Sequence, residues 1–149
     1  MNDGSKKAAL SYDHGISIEP LVGETLGNYF DNIVAQRQDA DALVSVQQNI
    51  RYSYKQLKNR IDLCARGFLS LGIERGDRIG IWSTNNAEWI VTQLAAAKVG
   101  AILVNINPGY RTPELEYVLG QSGVKLLVVI PKHRSSNYLE MLEELAPTF

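Results

Sequence analysis

Three apolar runs in the second half of the chain, RIGIWS (78–83), AILVNI (101–106) and VKLLVVI (124–130), are separated by segments with helical starts and stops. A strand that is apolar at successive positions is covered on both of its faces, and a helix placed between two such strands carries the chain back so that they run parallel. The alternation therefore predicts an α/β fold, a mostly parallel sheet with flanking helices. The punctuation agrees with it. Asn85 and Glu88 stand at capping-box spacing before WIVTQLAAAKV, which Gly100 ends. Thr112 caps the next helix, with Pro113 at its first position, Glu114 near the positive dipole end and Gly123 closing it. NYLEMLEELA reads as a last amphipathic helix.

Before the sheet, Thr25 can cap TLGNYFDNIVAQR, in which Leu26, Tyr29, Phe30 and Ile33 recur at helical spacing. The β-prone runs ALVSV and IRYSY, separated by the polar QQN, predict a hairpin. Ser53 and Gln56 form a capping box ahead of YKQLKNRIDLCARGFLSLG. Its apolar stripe is Leu57, Ile61, Cys64 or Ala65, Phe68 and Leu71, and Gly72 ends the helix in a left-handed conformation.

Composition removes several function classes. Fifteen lysines and arginines against sixteen acidic residues give no excess of positive charge for a phosphate backbone, which argues against nucleic acid as a partner. The longest apolar stretch, Leu94 to Ile106, is broken by Lys98 and Gly100 and falls short of the roughly 20 residues that cross a bilayer. Residues 1–20 hold no apolar core of signal-peptide length and no arginine, so they read as a mobile amino-terminal arm. The one cysteine, Cys64, cannot form an internal disulfide, which favours a reducing compartment and the cytoplasm.

Individual reactive residues carry little. Cys64 lies on or beside an apolar stripe without a basic partner, so it reads as a packed thiol. His14 and His133 stand alone, whereas a metal site needs three or four convergent donors. Arg75-Gly76-Asp77 spells an adhesion tripeptide but sits where a tight turn must precede a strand. Glu140, Glu143 and Glu144 read as a solvated helix face. The loop NINPGYRT leaves the carboxyl end of a strand, the side of a parallel sheet on which ligands bind. It nevertheless lacks the glycines and lysine of a phosphate cradle, and Glu114 places a carboxylate where an anion would dock, so it reads as a corner.

The order of these pieces goes beyond fold physics. Gly76-Asp77-Arg78, Asn85 with Glu88-Trp89, Gly100-Ala101, Asn107-Pro108 with Tyr110, and Glu114-Leu115 with Tyr117 follow RYSYKQL in one sequence. As a set, this resembles the amino-terminal part of the adenylate-forming (AMP-binding) acyl-CoA synthetases, from about Thr25 onward. LVNINPGYR is most similar to the fatty-acyl and medium-chain ligases of that superfamily. The resemblance implies a reaction in which a carboxylic, here fatty, acid attacks the α-phosphate of Mg-ATP. The thiol of coenzyme A then takes the acyl group from the adenylate.

The resemblance also implies a division of the chain and a limit on it. Residues 21–149 correspond to a truncated amino-terminal segment of the ligase domain. The family's phosphate loop, its metal-holding glutamate, its ribose-binding aspartate and its lid lysine all lie downstream of the matched region. ATP, Mg2+ and coenzyme A are therefore cofactors of the full-length family, none is assigned to this chain alone, and no catalytic, cofactor-binding or metal-binding residue is carried over. The reading is an amino-terminal ligase fragment that does not catalyse by itself and self-associates through uncovered sheet. The alternatives are a free-standing α/β binding or regulatory module and an interaction partner of a full-length ligase.

Overall fold

The computed structural model describes residue 15 and residues 18–148. Most of the arm expected over residues 1–20, and His14, lie outside the described residues. The elements are α1 (Leu26–Gln36), β1 (Asp41–Ser45), β2 (Ile50–Ser53), α2 (Tyr54–Ser70), β3 (Arg78–Trp82), α3 (Ala87–Val99), β4 (Ile102–Ile106), α4 (Thr112–Ser122), β5 (Leu126–Val129), the two-residue strands β6 (Lys132–His133) and β7 (Ser136–Asn137), and α5 (Tyr138–Leu145). A short 3-10 turn follows over Ala146–Thr148. The β6–β7 pair has no counterpart in the sequence pattern, because two residues are too few to show a period.

The three apolar runs form one parallel sheet in the order β4-β3-β5. Its register places Leu103, Ile79 and Leu126 in one row and Val104, Gly80 and Leu127 in the next. Asn105, Ile81 and Val128 form the third row, and Ile106, Trp82 and Val129 the fourth. Successive rows face opposite sides, as the strand period of two requires. One face packs on α1, α2 and α3 through Phe30, Val34, Leu57, Ile61, Ala65, Phe68, Ala95 and Ala96. The other packs on α4 and α5 through Leu115, Tyr138, Met141 and Leu145. Gly80 is required on that second face, because a β-carbon there would come within 2.9 Å of Leu127 Cδ1 and 3.1 Å of Val124 Cγ1.

The sequence places two helix seams with different precision. On α2, Leu57, Ile61, Ala65 and Phe68 are buried as expected, with Cys64 beside the stripe and Leu71 exposed beyond it. Burial pushes the Cys64 thiol up from its ordinary value, away from thiolate chemistry. On α1 the buried set is Gly27, Phe30 and Val34, while Leu26 and Tyr29 are exposed. The seam is rotated because α1 crosses α3 at Gly27, where a β-carbon would lie 3.1 Å from Lys98 Cγ.

Four charges join the three helices of that layer. Lys98 Nζ reaches both oxygens of Asp31 at 2.8 and 2.9 Å and Oδ1 of Asp62 at 2.7 Å. Lys58 Nζ closes the ring, at 2.7 Å from Asp62 and 3.0 Å from Asp31. Burial alone would raise the Asp31 and Asp62 carboxyls, but the hydrogen bonds and charges of the two lysines outweigh it and hold both below the ordinary carboxylate range.

Two helix caps differ from their sequence assignments. Asn86, not Asn85, caps α3: its Oδ1 accepts from Trp89 N at 2.8 Å, and Asn85 is exposed one residue earlier. Glu88 consequently sits at the second helical position and closes no capping box. At α4 the cap position is Arg111, which makes Thr112 the first helical residue and Pro113 the second. The Thr112 hydroxyl donates instead to Glu144 of α5 at 3.0 Å, and Glu114 Oε2 accepts from Arg111 N at 3.0 Å. At α3 two adjacent asparagines could each serve as the cap and the entry direction of the chain selects one of them, whereas at α4 the helix starts one residue earlier than a Thr112 cap requires and Arg111, a donor only, supplies no side-chain cap. Thr25, Ser53 with Gln56, Gly100 and Gly123 hold the roles read from the sequence.

Candidate functional site

From β3 the chain passes to α3 on one face of the sheet, whereas from β5 it passes towards α5 on the other. Adjacent parallel strands whose continuations diverge in this way open a crevice at their carboxyl ends, the usual ligand position in open α/β sheets. Here that crevice has a volume of about 420 Å³. Ile81, Val128, Val129 and Ile130 line it from the strands, Ser83, Asn86, Glu88 and Trp89 from the start of α3, Gln48 from the hairpin turn, and Pro131 from the end of β5.

The polar groups at its mouth already satisfy one another. Gln48 Oε1 accepts from Ala87 N at 2.7 Å and from the Ser45 hydroxyl at 2.8 Å, and its Nε2 donates to Glu88 Oε2 at 2.7 Å. Asn86 Nδ2 donates to Ser83 Oγ at 2.9 Å, and that hydroxyl donates to Thr84 O. Two amides at the amino end of α3 are thus occupied by side-chain oxygens, and a carboxylate lies on the same turn. That arrangement removes the positive end that would attract phosphate. Gln48 is the residue that sequence reasoning missed. It lies 39 positions from Ala87, and no local pattern announces a helix cap supplied by a distant hairpin.

The loop after β4 is held as a corner. Trp82 Nε1 donates to Asn107 O at 3.1 Å, Asn107 Oδ1 accepts from Gly109 N at 2.8 Å, and the Tyr138 hydroxyl donates to Pro108 O. Trp82 and Tyr138 are fully buried and stack with ring centroids 3.6 Å apart. Burial raises the Tyr138 phenol above its ordinary value, keeping it a neutral donor. NINPGYRT therefore fastens α4 and α5 to the sheet, and Glu114 occupies the amide that precedes α4.

The other residues singled out in the sequence do not come together among the described residues. Among the described residues no three His, Cys, Asp or Glu side chains are grouped to hold a metal. His133 lies in the small β6–β7 hairpin, opposite Ser136. Gly76 has φ +89°, and Asp77 accepts from Glu74 N and Lys125 Nζ, so Arg75-Gly76-Asp77 is a turn tied to the sheet. No helix among the described residues is long and apolar enough to cross a membrane.

Comparison with known proteins places this arrangement. The model of the AMP-binding enzyme family matches residues 30–148. The chain is 40% identical over 138 residues to the mitochondrial medium-chain acyl-CoA ligase ACSF2 of Mus musculus, a match covering 93% of this chain and 22% of that one. It is 35% identical over 127 residues to the putative acyl-CoA synthetase YngI of Bacillus subtilis, covering 85% of this chain and 23% of the relative. Among solved structures, the N-terminal domain of FACL13 from Mycobacterium tuberculosis aligns with a TM-score of 0.74 at 25% identity, over 82% of this chain and 29% of that one. The chain thus spans less than a quarter of the length of these curated relatives. With the family model covering most of its length and its fold aligning with the N-terminal domain of FACL13, the chain belongs to the AMP-binding enzyme family.

Proposed function

We propose that this chain supplies the first part of the sheet domain of an acid–CoA ligase, one that joins a medium-chain or fatty acid to coenzyme A through an acyl-adenylate. The observation that carries this reading is the 93% coverage of the chain by a medium-chain acyl-CoA ligase of which it spans only 22%. Residues 21–149 are the ligase segment, and its role is architectural. It orients the carboxyl ends of β3, β4 and β5 and fixes the corners that follow them. The described residues do not fit ATP or Mg2+: amides at the starts of α3 and α4 are taken by Gln48, Asn86 and Glu114, and no three His, Cys, Asp or Glu side chains among the described residues are grouped to hold a metal. Nucleotide and metal chemistry is accordingly assigned to other parts of such a ligase, and these 149 residues alone do not activate an acid.

Two finer readings accompany this one. β4 and β5 each pair with a single strand among the described residues, and Ile102 on β4 is exposed, which supports self-association through open sheet edges. The lone, half-buried thiol suits the cytoplasm or the mitochondrion named for the ACSF2 relative, and cell fractionation separates the two.

The test has two arms. The purified chain should give no acid-dependent exchange of pyrophosphate into ATP with acids from acetate to palmitate, since losing even one preorganised donor costs about 100- to 1,000-fold. A medium-chain ligase whose matching segment is replaced by residues 25–148 of this chain should retain activity. Exchange copurifying with the chain alone, or a folded but inactive chimera, overturns the reading.

A further inference from the structure

α2, α3 and β2 enclose a second cavity of about 340 Å³, within the range of about 300–1,000 Å³ usual for small-molecule sites. Two opposite charges line it without meeting each other. Arg60 of α2 holds its guanidinium carbon 5.8 Å from the centre of the Tyr52 ring and has no carboxylate partner among the described residues. Glu88 of α3 accepts from the neutral Gln48 amide and is offset by no cation among those residues. Leu63, 58% exposed, and half-buried Val91 supply apolar wall. Thr92, on the same wall, is only 4% exposed, and its hydroxyl makes no hydrogen bond among the described residues. No fully enclosed side-chain oxygen among those residues lacks a partner, so this hydroxyl opens onto the cavity and is left for a ligand to satisfy.

We propose that the cavity binds a dipeptide with both ends free, its carboxylate at Arg60, its ammonium at Glu88 and its peptide group at the Thr92 hydroxyl. That hydroxyl can donate to the peptide carbonyl or accept from the peptide N–H, and side chains of the ligand lie against Leu63 and Val91. The same groups disfavour simpler occupants. A fatty acid offers nothing to Glu88 or Thr92, and an inorganic anion would meet the Glu88 carboxylate. A single amino acid carries both charges on one carbon, with no polar group between them. Arg60 and Glu88 are exposed, so each charged end contributes about three- to fivefold in affinity. The proposal goes beyond the ligase reading and does not depend on it. A failed chimera leaves it standing, and a failed binding experiment leaves the ligase reading untouched.

The experiment follows the methyl resonances of Leu63, Val91 and Thr92 in the full 149-residue chain during titration with alanyl-leucine, its N-acetyl form, its carboxyl-terminal amide, and leucine. Saturable shifts centred on those methyls are expected with alanyl-leucine at about millimolar affinity. Each blocked form should bind about three- to fivefold more weakly, and leucine more weakly still. Arg60→Gln should bring the amide level with the free dipeptide, and Glu88→Gln should do the same for the acetyl form. Thr92→Val, which keeps the side-chain shape and breaks no bond within the chain, should weaken alanyl-leucine about threefold and leave both ratios unchanged. Shifts spread over the whole chain, or no saturation by about 50 mM, overturn the proposal. So does either blocked form, or leucine, binding the unaltered chain as tightly as alanyl-leucine.

Discussion

Replacing Lys98 by Met removes the centre of the charged ring while keeping the length of a side chain that packs against Gly27. Lys98 Nζ donates to three carboxylate oxygens, and its side chain is only 15% exposed. Asp31 and Asp62 are 40% and 31% exposed. A fully buried pair that loses one partner costs about 3–5 kcal/mol, and an exposed pair about 0–1 kcal/mol. The partial exposure here, and Lys58 remaining on both aspartates, place Lys98→Met at about 2 kcal/mol. For a chain of this size that lowers Tm by roughly 4–8 °C. The pH dependence supplies a second check. The two carboxyls have folded pKa values below their unfolded ones, so their contribution is fully present above about pH 4 and is lost as pH falls through the folded values. The gap between wild type and Lys98→Met, measured by urea unfolding, should therefore be widest near pH 7 and narrow sharply at pH 2.5. Lys58 is shifted in the opposite sense: burial lowers it, but its bonds to the Asp62 and Asp31 carboxylates raise it overall. Its contribution is complete below about pH 10 and is lost only at higher pH, which leaves the acid comparison clean. A loss below about 0.5 kcal/mol at pH 7, or a gap unchanged at pH 2.5, would refute the electrostatic account of how α1, α2 and α3 are joined.

Asn86→Ala should cost about 1 kcal/mol in urea unfolding, while Asn85→Ala stays within about 0.3 kcal/mol; the reverse order would return the cap of α3 to Asn85. Gly80→Ala should cost about 1–3 kcal/mol by overpacking against Leu127, Val124 and Ile106, with the lower end expected if the Leu127 terminus swings aside, and a neutral result would mean that β3 is less closely packed against the side chains of β4 and β5 than 2.9 Å implies.

The sequence by itself determined the main helices and strands, though not the β6–β7 pair, and the class of sheet. Near-continuous apolar runs, glycines at left-handed helix ends and the Ser53–Gln56 box are local signals, each read from a few neighbouring residues. The family resemblance was legible for a related reason: the order of turns, caps and strand ends is one-dimensional information. Tertiary structure decided the rest. Whether Asn85 or Asn86 caps α3, and whether the α1 seam runs through Tyr29 or Gly27, depends on which neighbour each helix meets. The ring of Asp31, Lys58, Asp62 and Lys98 joins residues up to 67 positions apart. The Trp82–Tyr138 stack and the Gln48 cap of α3 likewise join elements that are distant in the chain, and both decide the shape of the strand ends. Such pairings depend on the sheet order β4-β3-β5, which sets which chain segments become neighbours after the backbone has folded. The crevice itself exists only through that order, because α3 and the segment after β5 leave on opposite faces of a sheet whose individual strands carry no mark of where they will lie.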